Sequence, residues 1–292
     1  YEAATEAKAL ADANYALARA AYLADPEDGD NEDDVIEAAI LVAAAQAALA
    51  GETAGAEGGV EFTSRIRIVF TASGETDGGL SFGASVRNDQ SGVGNTENDD
   101  STVYISGAFG KITMGDTGNA ADALVGQVSG VGLTGLGDLN EIGFLSADKT
   151  GAMYEYSAGA LTFGIGAGQT LGNDFVSAAV KYSTDAYSVA LGYEENNADT
   201  QISLLGSATM AGATVKVKLA DRDSLPDMLY ALSVDYAVAG ATVTAFYSDQ
   251  SNDTRYGLGA SYDLGGGAAV KGGVAREEGT DTVFDLGVSM SF

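Results

Sequence analysis

From Gly59 onward, apolar residues alternate with small or polar ones at a period of two. Phe284, Leu286, Val288, Met290 and Phe292 alternate with Asp285, Gly287, Ser289 and Ser291. Met228, Tyr230, Leu232, Val234, Tyr236 and Val238 alternate with Leu229, Ala231, Ser233, Asp235 and Ala237. Such alternation places one row of side chains on each face of a β-strand. It predicts fifteen strands, near 59–73, 79–90, 100–108, 110–116, 150–158, 160–168, 173–184, 185–194, 199–209, 212–221, 226–238, 240–249, 253–264, 267–277 and 280–292. Tight connections such as Ala211-Gly212 are expected to alternate with longer polar ones at 91–99, 194–199 and 249–253, and with the large segment 117–149.

The first 58 residues follow another rule. They are rich in Ala, Leu and Glu and poor in β-branched residues, a helical preference. One helix is expected from about Ala3 to Ala24 and a second from about Asp34 to Ala50, separated by Asp25-Pro26 and an acidic run. Gly51 stops the second. The division is thus an acidic helical hairpin over 1–58 and a β-domain over 59–292.

The character of the second face decides what kind of β-domain this is. A water-soluble sandwich would carry a richly charged outer face. Here the polar face is Gly, Ser, Ala and Thr with isolated charges, while the other carries Val, Leu, Phe and Tyr. Strands of this length with such alternation form the pattern of a transmembrane antiparallel β-barrel, which leaves no backbone edge in lipid. Arg65, Arg67, Arg87, Lys181, Lys216, Lys218, Arg255 and Lys271 all fall on the polar face. On the lipid face each would cost up to about 2–4 kcal/mol at the bilayer midplane. A polar face holding eight of the fourteen basic residues points to a wet interior, and a wet barrel is a pore.

Composition removes other functions. The chain has no His and no Cys, so His-based triads, thiol nucleophiles and the usual zinc sites are excluded, and no enzymatic activity is expected. The net charge of −28 argues against nucleic acid. Thirteen acids against Lys8 and Arg19 put −11 of that charge on the first 58 residues and leave −17 elsewhere.

Five stretches carry a family likeness: FTSRIRIVFTASGETDGGLSFGAS (62–85), VYISGAFGKITMGD (103–116), YEYSAGALTFG (154–164), YGLGASYDLGGGA (256–268) and DLGVSMSF (285–292). In them the chain resembles the sixteen-stranded trimeric general porins of the Rhodobacter type. The resemblance implies a passive, water-filled diffusion channel in a Gram-negative outer membrane, passing ions and small hydrophilic solutes with size filtering and weak charge selectivity. It also implies a homotrimer in contact with outer-membrane lipid and lipopolysaccharide. Phe284, Leu286, Val288, Met290 and Phe292 would form the signal read by the barrel assembly machinery. An antiparallel barrel of this type has an even strand number. Fifteen strands therefore suggest a first strand before Tyr1, which would make the helical hairpin an insertion in the first extracellular loop. A genuine N-terminal helical domain is the other reading.

By the same resemblance, segment 117–149 folds into the barrel as a constriction. Asp122 would stand at a family acid, with Asp116, Asp138 and Glu141 as further loop acids. Arg65, Arg67 and Arg87 would form the facing basic wall. Glu155, Lys181, Lys216, Lys218, Arg255 and Lys271 would be further lumen charges. Gln127, Gly130 and Gly135 stand where relatives carry acids, so the loop is less negative than the family pattern and a loop-bound calcium is disfavoured.

No cofactor is expected, and loosely bound calcium is the one ion left open. Asp28, Asp30 and Glu32 are its weak candidates, but read from Asp28 the turn glycine of an EF-hand is replaced by Asp33. A solvated charge run is the simpler reading. The rival function is a structural or adhesive surface protein whose helical insert binds a partner or gates the barrel.

Overall fold

In the computed structural model, the described residues are 59–91, 96–145, 149–170, 173–251 and 253–292, with Asp12, Ala13, Ala16, Arg19, Ala20 and Leu23 near the N-terminus. Those six are helical and exposed. The rest of the hairpin expected over 1–58, including Asp28, Asp30 and Glu32, lies outside the described residues.

The alternating region forms fifteen strands: β1 (Arg65–Glu75), β2 (Ser81–Ser91), β3 (Thr96–Gly107), β4 (Gly110–Thr117), β5 (Lys149–Ala158), β6 (Leu161–Thr170), β7 (Asn173–Ser183), β8 (Tyr187–Asn196), β9 (Thr200–Met210), β10 (Ala213–Arg222), β11 (Leu229–Val238), β12 (Ala241–Gln250), β13 (Asp253–Gly265), β14 (Ala268–Glu277) and β15 (Val283–Met290). One helix, α1 (Ala120–Val125), lies between β4 and β5. The strands make a single sheet in sequence order, every neighbouring pair antiparallel. Period-two patterning fixes the register, because a one-residue slip would turn each apolar row toward water.

Two departures from the expected elements have physical causes. The alternation begins near Gly59, but β1 begins at Arg65. Arg65 pairs with Ser91, and the chain beyond Ser91 turns back into β3, so 59–64 have no ladder partner on β2. The connections at the two ends also differ less than expected. Apart from 118–148, those on the loop side are two to six residues long, close to the two to five of the opposite side. Their polar residues continue the ladder instead of leaving it: Gln250 still pairs with Asp253, and Glu195 with Thr200. Two hairpins close through Ala211-Gly212 and Ala239-Gly240, where both residues have positive φ (52° and 79°, 44° and 78°). That is the primed-turn geometry matched to strand twist.

Burial is inverted relative to a soluble protein. The outer face exposes Ile202, Leu204, Val215, Val217, Leu286 and Val288. The buried apolar groups lie on the inner face, where segment 118–148 packs against the wall. Ala120 and Leu124 meet Met153 and Ala179, while Val125 meets Ala190 and Leu205. Val128 and Ile142 meet Ala220, Leu229 and Ala231, and Val131 and Leu136 meet Phe246 and Ala275.

A channel narrowed by an inward loop

Small residues on the inner wall admit the loop. A Cβ on Gly164 would stand 2.9 Å from a Leu124 methyl, and one on Gly259 would stand 2.8 Å from Val131. The wall could not carry side chains there with the loop in place.

Polar groups then fix the loop along its length. The Asn119 side chain caps α1 by accepting from the Asp122 amide at 2.7 Å, and its own amide group donates to Glu194 at 2.8 Å. The Ala120 amide donates to Ser177 Oγ at 2.8 Å. Ser129 donates its amide to Ser233 Oγ at 2.9 Å and its hydroxyl to Asp235 at 2.6 Å, while Lys216 donates to the same hydroxyl oxygen at 2.9 Å. Further round, Asp285 Oδ2 accepts from the amides of Leu133 (2.8 Å) and Thr134 (2.6 Å) and from the Thr134 hydroxyl (2.7 Å). On the return, Arg222 and Gln201 donate to the Gly143 carbonyl at 2.7 and 3.1 Å, and Glu194 accepts from the Leu145 amide at 2.8 Å. The loop therefore lines the interior from Met153 on β5 to Asp285 on β15, while Arg65 and Arg67 on β1 stay exposed.

The wall of β1 and β2 carries the basic cluster. Arg65 Nε donates to Asp89 Oδ1 at 2.8 Å, Arg67 Nε to Oδ2 at 3.0 Å, and Arg87 Nε lies 3.7 Å from Oδ2. The pairing register sets this up: Arg67 stands opposite Asp89, and Val69 opposite Arg87, all on one face. The Arg65 and Arg67 side chains remain 58% and 45% exposed, whereas that of Asp89 is 7% exposed. Three guanidiniums thus gather around the one buried carboxylate of Asp89. Lys111 and Glu155 are inner-face partners on the neighbouring strands, and Lys111 Nζ stands 5.2 Å from the centre of the Tyr104 ring.

The loop acids divide. Asp122 sits in the first turn of α1, half-buried, while Asp138 and Glu141 are exposed on the loop. Asp138 occupies a turn at φ 54°. Asp116 is not a loop residue at all. It lies in β4 opposite Thr150, one residue before the strand ends at Thr117. It is removed from the loop acids.

The other basic residues keep the inner parity expected of them, but their surroundings differ. Lys181 and Lys271 are half-buried on β7 and β14. Arg255 pairs with Glu277 at 2.7 Å. Lys216 is taken up by the loop, and Lys218 is 0% exposed, so it is not a charge that a passing ion meets. Phe284, Leu286, Val288 and Met290 lie on the outer face of β15, and Phe292 follows the strand fully exposed. Sequence reasoning missed Asp89, Glu194, Arg222, Asp235 and Asp285. Their inner-face parity was readable, since Asp89 is in step with Arg87 and Asp285 with Gly287. Among the described residues, no group of three acids is gathered as metal ligands.

Comparison with known proteins agrees with this architecture. Residues 38–282 match the family model described as Gram-negative porin. The porin of Rhodobacter capsulatus is 38% identical in an alignment covering 79% of this chain and 93% of its own length. That of Fuscovulum blasticum is 26% identical over 79% and 91%. A porin structure refined at 1.8 Å superposes with a TM-score of 0.67 at 33% identity, covering 77% of this chain and 92% of that one. With the inward loop and the apolar exterior in place, these matches assign the chain to the Gram-negative porins, and it is a general diffusion channel of the outer membrane rather than an enzyme.

Proposed function

We propose that solutes pass between the arginine wall of β1 and β2 and the acids of the inward loop. Arg65, Arg67 and Arg87 supply one side of a transverse field, and Asp122, Asp138 and Glu141 the other. The observation that carries this reading is the loop's run of hydrogen bonds along β7 to β15, which leaves the basic wall as the open side. Opposed charges at short range orient polar solutes, and the bore between them filters by size. The arginines of the wall are set against the acids of the loop, so charge selectivity is weak, near neutral or slightly cationic. Acids beyond about 8 Å are screened at physiological salt and count less than the constriction.

In this reading the end of the barrel that carries the short turns and Phe292 faces the periplasm, and the end from which the inward loop departs faces outward. Any helical insert in 1–58 then lies outside the cell. Three copies associate through their apolar outer faces in contact with lipid and lipopolysaccharide, and the outer row of β15 with Phe292 is the element read by the assembly machinery. No cofactor enters the mechanism. Reversal potentials across a bilayer in a salt gradient test the selectivity. A small shift toward the cation potential is expected, and a strong anion preference would overturn it.

A further inference from the structure

Lys218 is on β10, opposite Leu205 and Ala231 on its neighbours, with no carboxylate directly across from it. It is 0% exposed. Its ammonium donates to Gln127 Oε1 at 2.8 Å and to the Ile142 carbonyl at 2.9 Å, and stands 3.8 Å from the centre of the Phe144 ring. All three partners belong to the loop. Gln127 lies on the outgoing arm just after α1, and Ile142 and Phe144 lie on the returning arm. The two arms are also joined directly: the Gln127 side-chain amide donates to the Ile142 carbonyl at 2.9 Å, and its oxygen accepts the Ile142 amide at 3.1 Å.

From this we infer that Lys218 is a positioning residue for permeation, the internal cation that clasps the two arms of the loop and so sets the bore of the channel. An ammonium is suited to the task. It has three donors and no acceptor, so it ties together oxygens that would otherwise repel, and an aromatic face takes part of its charge. Asp122, Glu194 and Glu141 supply the surrounding negative charge. Gln127 gives both a neutral acceptor for the ammonium and a donor for the opposite arm. Lys218 touches no permeating ion; it acts through the arms it holds.

This inference rests on the channel reading, and the experiment separates the two. Lys218→Met keeps the length and apolar stem of the side chain and removes the charge. Wild type, Lys218→Met, Gln127→Leu and the double variant are purified, checked for wild-type β-sheet content by circular dichroism, and inserted in planar bilayers. Charge-assisted hydrogen bonds commonly shift an equilibrium by about tenfold or more. Loss of the clasp is therefore expected to raise the time spent in altered conductance levels about tenfold or more, with a higher size limit for sugars in liposome swelling. Gln127→Leu should act in the same direction, and the double variant should be little worse than Lys218→Met, because the two residues form one network. A folded Lys218→Met with wild-type noise, conductance and size limit would overturn the inference, even with a lower melting temperature. If Lys218→Met does not assemble, a wild-type channel from Gln127→Leu overturns it equally. An assembled wild type that carries no current would instead overturn the channel reading beneath it.

Discussion

A Cβ added to Gly192 would stand 2.8 Å from the Cβ of Ala121, so this position on β8 has no room for a side chain while the loop helix occupies the space. The Val125 side chain is equally near, at 2.8 Å. Gly192→Val must therefore push α1 off the wall and toward the channel. Overpacking of this kind costs about 1–3 kcal/mol. The expected outcome is an assembled barrel with lower single-channel conductance. An unchanged conductance in a variant of normal β-sheet content would show that the helix does not border the pore.

The arginine wall predicts a signed change in selectivity. Arg65→Ala with Arg67→Ala removes two positive charges from this wall and leaves Arg87 beside Asp89. The reversal potential should move toward the cation limit, more at low salt than at high, because screening weakens with dilution. A shift toward anions would contradict the assignment of this wall to the channel.

Much of this was legible before the structure, because a barrel writes its geometry into parity. Arg65, Arg67, Arg87, Arg255 and Lys271 could be placed on the inner face from alternation alone, and the registers agree. What parity does not carry is what stands over each inner residue. Lys218 and Lys181 look alike in the sequence, yet only Lys218 is covered, because coverage depends on the path of a loop without periodicity. Asp116 was grouped with the loop acids although it closes the strand expected over 110–116, and pairing with β5 carries β4 past it to Thr117, with Thr150 opposite Asp116. The acids that anchor the loop were passed over because alternation shows their face but not the loop groups that donate to them.

Asp285 is the clearest of those anchors. Its Oδ2 takes three donors from Leu133 and Thr134, and the Oδ1 lies where a side chain on Gly132 would collide with it. Asp285→Ala leaves two loop amides without this acceptor, each costing about 1–3 kcal/mol if no water replaces it. The variant should be cut near residues 132–138 by a protease that spares the wild type, with the barrel itself intact. Equal resistance would show that the far part of the loop is held by packing alone.

Asp199, in the turn between β8 and β9, gives a pH dependence. The Ser224 hydroxyl donates to its carboxylate, as do the amides of Thr200 at 2.9 Å and Ser224 at 3.1 Å, and these donors hold its pKa below the ordinary value of 3.8. A depressed folded pKa means stability that is fully present above the unfolded value and is lost as pH falls through the folded one. Hydrogen exchange at the Thr200 and Ser224 amides should stay protected on acidification past pH 3.8 and be released only below it. Release at or above that pH would remove the role assigned to these bonds.

The central claim is that this chain encloses a permanently water-filled passage narrowed by its own loop. Single-channel recording of the purified protein in planar bilayers tests it most directly. The account predicts discrete steps whose conductance rises in proportion to that of the salt solution. Inserted, fully folded protein that leaves the bilayer without current would contradict it.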